Sequence, residues 1–258
     1  MLCHMNASPD APTLVLIPCF SGRAWTPDQQ AGFVPLPVRA ITLPDDLDDL
    51  EAYADAVAET VQDLERYVLV GDSFGAAVAL TLALRRPDGL VGLVLSGGFA
   101  SDPLATVVSR VGSHTARWLP GPLYRHLTLW IHARLLASPF DTRPGAEVRW
   151  PVSASRALFL AATPWRSYVG RVRAVRRMDV RDRLGSVEVP TLVLAPGYDH
   201  LVGPPATQVL VEGISGAEHV VLADTGHMFR FTHPRRFAAA ICAFLERAEL
   251  IQRQPLPA

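Results

Sequence analysis

The chain contains no lysine: all 24 of its basic residues are arginine. Any chemistry that needs a Schiff-base or general-base lysine is therefore excluded. Cysteine is scarce. Cys3, Cys19 and Cys242 are too few and too scattered for a disulfide framework and lack metal-ligand spacing. An odd count of this kind fits a reducing cytoplasm, the expected location. Neither sign of charge dominates: the formal net charge is −1 over 258 residues. Neither nucleic acid nor a membrane is expected as the main partner. No stretch approaches the length needed to span a bilayer. The N-terminus has no basic region and only one short apolar run, Leu14 to Ile17, so it does not read as a signal peptide. Repeats and low-complexity tracts are missing as well.

What the chain does have is apolar material, 49% of its residues. That suffices for one substantial core, or one core plus a small inserted subdomain. Continuous apolar runs at Thr13–Ile17, Tyr67–Val70, Val91–Leu95 and Val189–Leu194 predict strands buried on both faces, and Val38–Thr42 and His219–Leu222 predict two more. Leu47, Leu50, Ala54, Val57, Val61 and Leu64 recur at helical spacing, Phe74–Arg86 is rich in Ala and Leu and is stopped by Pro87 and Gly89, and a last helix is expected from Pro234 to Leu250. Strand, helix, strand in this rhythm implies right-handed crossovers and a parallel sheet covered on both faces. The rhythm breaks after Gly98. Residues 99–186 read as a mostly helical insertion, a cap or lid, between core segments 12–98 and 187–250.

Gly71-Asp72-Ser73-Phe74-Gly75 follows a buried strand and opens a helix, the context of a G-x-S-x-G nucleophile elbow. Ser73 is the expected nucleophile. The turn is strained, side chains two residues to either side would collide, and the helix N-terminus favours a developing oxyanion. Of eight histidines, His227 in Asp224-Thr225-Gly226-His227-Met228 lies between the last strand and the last helix, at the same sheet edge as Ser73. His219 starts a strand at the opposite edge. His114, His126 and His132 fall in the insertion and His4 in the tail. His233, before Pro234, reads as a surface cap, and His200 is the rival to His227. The orienting acid is expected at Asp199, on the loop after the strand ending at Leu194; it would hold the His227 tautomer and stabilise the imidazolium. Asp224 is too near His227 in sequence to reach its ring, and Asp72 points elsewhere. Two backbone N–H groups are needed for an oxyanion hole. Phe74 supplies one, and by position Phe20, in Pro18-Cys19-Phe20-Ser21-Gly22, supplies the other. Cys19 reads as a small buried residue.

Together these residues resemble the α/β-hydrolase superfamily, especially its small capped bacterial serine esterases and thioesterases. The order Ser73, Asp199, His227 is that family's nucleophile, acid, base order, and the resemblance covers about residues 13–248. It implies an eight-stranded, mostly parallel sheet with helices on both faces and a helical cap, although the leading hairpin is missing or reduced here. It also implies cleavage of a carboxylic ester through an acyl-enzyme, with no cofactor and no metal. Two departures from the family stand out. Pro18-Cys19 replaces the common His-Gly, and Leu43-Pro44-Asp45-Asp46-Leu47 runs straight towards a helix where Asp-x-x-Gly-x-Gly-x-Ser is usual. Serine at the elbow excludes the dehalogenase and epoxide hydrolase chemistries, which use Asp there.

The insertion ends in Arg166, Arg171, Arg173, Arg176, Arg177, Arg181 and Arg183. A solvated helix face explains them most simply. The alternative is a docking surface for an acyl carrier protein or coenzyme A ester, which would make the chain a thioesterase or an acyl-carrier methyl esterase. A slow or non-hydrolytic small-molecule binding protein on the same fold is the reading from another class. Trp118, Trp130, Trp150, Phe159 and Trp165 are expected to divide between pocket lining and cap core.

Overall fold

A computed structural model describes residues 10–103, 118 and 121–252. Part of the expected insertion, with His114, and the tails, with Cys3 and His4, lie outside the described residues.

Six strands form one sheet: β1 (Thr13–Ile17), β2 (Val38–Ala40), β3 (Tyr67–Asp72), β4 (Leu90–Ser96), β5 (Thr191–Tyr198) and β6 (Glu218–Gly226). Their order is β2-β1-β3-β4-β5-β6 and every described pairing is parallel. Among the described residues the sheet has six strands, against the eight that the family resemblance implies, and no antiparallel hairpin precedes β1. The apolar runs form strands because alternate side chains point to opposite faces and both faces are covered. Val15, Ile17, Leu69, Leu93, Leu95 and Val193 share one core with helices α2 (Leu50–Val61) and α3 (Phe74–Ala83), which follow the short α1 (Pro27–Gln30). Leu14, Leu16, Val68, Val70, Val94, Leu192 and Leu194 share the other with Phe237, Ile241, Phe244 and Leu245 of the last helix, Pro234–Arg247. Each fully buried aliphatic side chain contributes about 1.5–3 kcal/mol. Helix α3 is buried at every position, lying between the sheet and its neighbours, which explains its lack of a polar face.

The strands outrun the sequence expectation at the edge that matters. β5 continues through Pro196 and Gly197 to Tyr198, and β6 continues to Gly226. The residues after them are therefore delivered by strand ends rather than by loose loops. Between β4 and β5 the described chain adds no strand to the sheet. It forms helices α4 (Leu129–Leu135), α5 (Val152–Ala162) and α6 (Trp165–Arg177). Tyr124, Leu129, Leu136, Phe159 and Tyr168 from this segment form a third core with Cys19, Met228 and Phe231, which flank the C-terminal ends of β1 and β6. Helix α7 (Gly203–Gly213) follows β5. The short α8 (Phe229–Thr232) leads into α9, the Pro234–Arg247 helix.

Two expectations are corrected. His233 is not a surface cap: it is 2% exposed and its Nδ1 lies 2.8 Å from Thr232 Oγ1. It does stand at the start of α9, but residues 145–148 cross that helix start, with Val148 N–H donating to Thr232 O. Nor are the thiols uniformly reduced. Cys242 is disulfide-bonded, while Cys19 is a free, buried cysteine. No helix among the described residues is long and apolar enough to cross a membrane.

Candidate active site

Ser73 sits between β3 and α3 with φ 54° and ψ −112°, a left-handed conformation that costs a non-glycine residue about 1–3 kcal/mol. Its two glycines show why the turn can be this sharp. A Cβ on Gly71 would lie 2.4 Å from Gly75 O and 2.5 Å from the Ala76 Cα. A Cβ on Gly75 would lie 2.5 Å from both Ile17 O and Pro18 O. The first contact closes the elbow on itself. The second seats it against the end of β1, where the Pro18–Gly22 loop begins. Ser73 N–H donates to Ser96 O at 2.7 Å, tying the turn to β4.

The structure brings Ser73, His227 and Asp199 together. His227 Nε2 is 2.9 Å from Ser73 Oγ, and His227 Nδ1 is 2.7 Å from Asp199 Oδ2. With the proton on Nδ1 donating to Asp199, Nε2 is left to accept from the serine hydroxyl. Asp199 Oδ1 accepts from the N–H groups of Leu201 and Val202 at 2.9 and 3.0 Å, which fixes the carboxylate. Burial works against the charged form of both groups, and their mutual attraction outweighs it. The Asp199 carboxyl is held below its ordinary value, helped by the two N–H donors. The His227 imidazole is held above its ordinary value by Asp199 and, more weakly, by Asp72 and Asp141. His200 is exposed and its ring packs on Tyr198, centroids 4.4 Å apart; Asp224 is exposed too. Phe74 opens α3 directly after Ser73, and Phe20 lies on the loop after β1, its ring 5.7 Å from that of Phe74.

Charged and polar residues that the sequence reading did not place here surround these three. Asp72 points away from Ser73, and its partner is Arg230, whose Nε donates at 2.6 Å inside the protein. Arg230 also donates to Gln29 Oε1 at 2.7 Å, and its guanidinium lies 4.4 Å from the Trp25 ring. It stands three residues after His227, one helical turn, which is the spacing that could have flagged it. Asp141 is 2% exposed; burial pushes its carboxyl up to about 6, against the Ser138 N–H and the nearby His227. His132 stacks on Phe159 at 4.7 Å and meets Phe20 edge-on at 5.2 Å. Burial, then the charge of His227, pushes it down to about 3, so it stays neutral. Neither has a motif that sequence could offer. Phe159 is buried and Trp150 donates to Ser155 Oγ at 2.8 Å, whereas Trp118, Trp130 and Trp165 are exposed. Among the described residues no group of three or more His, Cys, Asp or Glu could hold a metal ion.

The parallel sheet wrapped by helices, with a strained serine on a strand-to-helix turn, places the chain in the α/β-hydrolase superfamily. Within it the chain belongs to the serine aminopeptidase S33 family, which matches residues 40–229. It is 27% identical to a protein named "Putative carbamate hydrolase RutD" from Rhizobium rhizogenes, over 94% of this chain and 95% of that one. It is 29% identical to a pimeloyl-[acyl-carrier protein] methyl ester esterase from Neisseria meningitidis, over 81% of this chain and 83% of that one. Its fold is similar to that of the enol-lactonase from Burkholderia xenovorans, with a TM-score of 0.75 at 20% identity over 91% of each chain. The chain is a hydrolase.

Proposed function

We propose that the protein is a serine hydrolase that cleaves carboxylic esters through an acyl-enzyme. The observation that carries the reading is the unbroken relay from Asp199 to His227 to Ser73, with links of 2.7 and 2.9 Å at one sheet edge. Ser73 Oγ attacks the ester carbonyl while His227 Nε2 takes its proton. The oxyanion is held by the Phe74 and Phe20 N–H groups. His227 then gives the proton to the leaving alkoxide, and afterwards takes one from the water that attacks the acyl-enzyme, releasing the acid and restoring Ser73. Every step is a proton or acyl transfer, so no cofactor is called for. The described helices between β4 and β5 act as a cap, setting Tyr124, Phe159, Tyr168 and His132 over this edge.

Ser73→Ala is expected to lower kcat on p-nitrophenyl esters by about a millionfold without moving the melting temperature downward. Retention of ester turnover in that variant sinks the assignment. Labelling by a fluorophosphonate separates the hydrolase from a binding protein on the same fold, since a binder's Ser73 stays unmodified.

The relative that acts on a pimeloyl-acyl-carrier ester favours a second reading, in which the leaving group or acyl chain is borne by an acyl carrier protein or coenzyme A. Arg166, Arg173, Arg177, Arg181 and Arg183 are exposed on the cap side. Their charge is partly answered, because Arg173 and Arg177 both reach Asp48 and Arg181 pairs with Asp179. Activity on acyl-carrier esters that exceeds that on simple esters and falls with salt supports this reading; equal activity without salt dependence removes it.

A further inference from the structure

Arg171 does not share the fate of its neighbours in the arginine cluster. It is 0% exposed, on the face of α6 that also buries Tyr168, Ala174 and Val175. Its Nη1 donates to Phe20 O at 2.9 Å, and its Nη2 to Pro44 O at 3.3 Å and Asp45 Oδ1 at 3.4 Å. Ser167, one turn earlier, donates to the same Asp45 oxygen at 2.8 Å. The fit is close: a Cβ on Gly22 would lie 2.3 Å from Nη2, and a Cβ on Gly170 would lie 2.2 Å from Leu47 O. One guanidinium thus joins three pieces of chain: the loop after β1, the loop after β2, and α6. A buried cation whose only carboxylate among the described residues is half-exposed is a poor source of stability. What it does provide is a fixed position for the carbonyl of Phe20, the residue whose own N–H is assigned to the oxyanion hole in the function proposed above.

We propose that Arg171 is a positioning residue for the oxyanion hole. It pins the Phe20 main chain through the Phe20 carbonyl, and Asp45 and Ser167 aim it. The inference rests on the hydrolase reading above. It supplies what this chain needs where it has Pro18-Cys19 at the start of the oxyanion loop and a short Leu43–Leu47 connection after β2. It also makes the cap helix α6 part of the apparatus that stabilises charge in the transition state.

The test uses the full chain and begins with Ser73→Ala. If that variant keeps the wild-type activity, the hydrolase reading falls and this proposal with it. If activity depends on Ser73, then Arg171→Met and Arg171→Lys are compared with wild type for kcat, KM, melting temperature and inhibition by an alkylboronic acid, whose tetrahedral adduct places an oxygen in the oxyanion hole. Arg171→Met is expected to lower kcat by about 10- to 100-fold, with KM near the wild-type value and the boronate constant weakened in step with kcat. Arg171→Lys should recover part of both, since an ammonium keeps the charge but lacks the planar fork that spans Phe20 O, Pro44 O and Asp45. A lower melting temperature with kcat and boronate affinity intact overturns the proposal and leaves Arg171 a structural residue. Should Arg171→Met fail to fold, Asp45→Ala decides, because it removes the half-exposed carboxylate on which Arg171 and Ser167 converge. A reduced kcat at constant KM supports the proposal, and an unchanged kcat overturns it.

Discussion

The sheet and the β4–β5 segment of this hydrolase are built to different rules. In the sheet, the central strands β1, β3, β4 and β5 bury most of their apolar side chains to zero or near-zero exposure, and Tyr67 Oη is the one orphaned side-chain polar atom on a described strand. In the segment, Leu123, Leu127, Trp130, Ile131, Leu135 and Trp165 are exposed, and Tyr124 Oη, His132 Nδ1, Asp141 Oδ1, Thr163 Oγ1 and Arg171 Nε are buried without a hydrogen-bond partner among the described residues. Each orphaned polar group gives up about 1–3 kcal/mol. The sheet is the more fully packed of the two, and its strand ends hold Ser73, Asp199 and His227. The segment carries more of these orphans and, under the proposed function, the groups that would meet a substrate.

If that division holds, changes to the sheet-borne relay should strike rate far harder than changes in the segment. Asp199→Asn is expected to lower kcat by about ten-thousandfold, since it loses the acceptor that fixes the His227 tautomer. The pH profile sharpens the point. Burial pulls His227 down and Asp199 more than compensates, so its pKa stands above the ordinary histidine value. The proposed base must be neutral, so wild-type kcat/KM is expected to fall as pH drops through that raised value, and Asp199→Asn should move the acid limb to lower pH. An unmoved limb would assign the titration to another group. Next in size is Gly75→Ala. Its Cβ would meet two backbone carbonyls that cannot swing aside, so a loss of about 3 kcal/mol is expected in urea melts. A near-neutral result would show that the end of β1 yields, against the rigid half of the comparison.

The smallest effect belongs to the segment. Burial raises Asp141 to about 6, so the folded protein holds this proton more tightly than the unfolded chain does. Stability is then lost as pH rises from about 4 through about 6. Asp141→Asn keeps an oxygen for the Ser138 N–H, now 2.7 Å from Asp141 Oδ2. It should be more stable than wild type by about 2 kcal/mol at pH 8, the gap closing by about pH 4. Thermal melts across that range check it. A gap that does not change with pH would mean that ionisation of Asp141 costs the fold nothing.

What could be read from the sequence follows the same division. The strands around Ser73 were legible because a buried parallel strand is a continuous apolar run, and the Gly71–Gly75 elbow because its glycines answer to backbone contacts within the same few residues. Residues 191–198 and 218–226 were read too short, since Pro196-Gly197 and Asp224-Thr225 look like turns until their register against neighbours is known. His233 was misjudged because its cover comes from residues 145–148, far away in sequence. The arginines were the hardest case. Composition treats Arg171 and Arg173 alike, yet they point to different sides of α6, and only Arg171 falls in line with Tyr168, Ala174 and Val175. The helical period carried that signal and the charge count hid it. Nothing local marks Asp141 or His132, whose surroundings are assembled from separate helices.

The Asp72–Arg230 pair has a consequence for how such a protein can change over generations. Asp72 precedes the nucleophilic serine in the proposed mechanism, and Arg230 follows the base by three residues, so one ion pair bolts the two reacting side chains' backbones together from behind. A lineage that replaced either residue alone would leave an unanswered charge in the interior, at a cost of about 3–5 kcal/mol, while a joint exchange for two apolar residues could pass nearly unnoticed. The two positions are thus inherited as a single character, although 158 residues separate them along the chain.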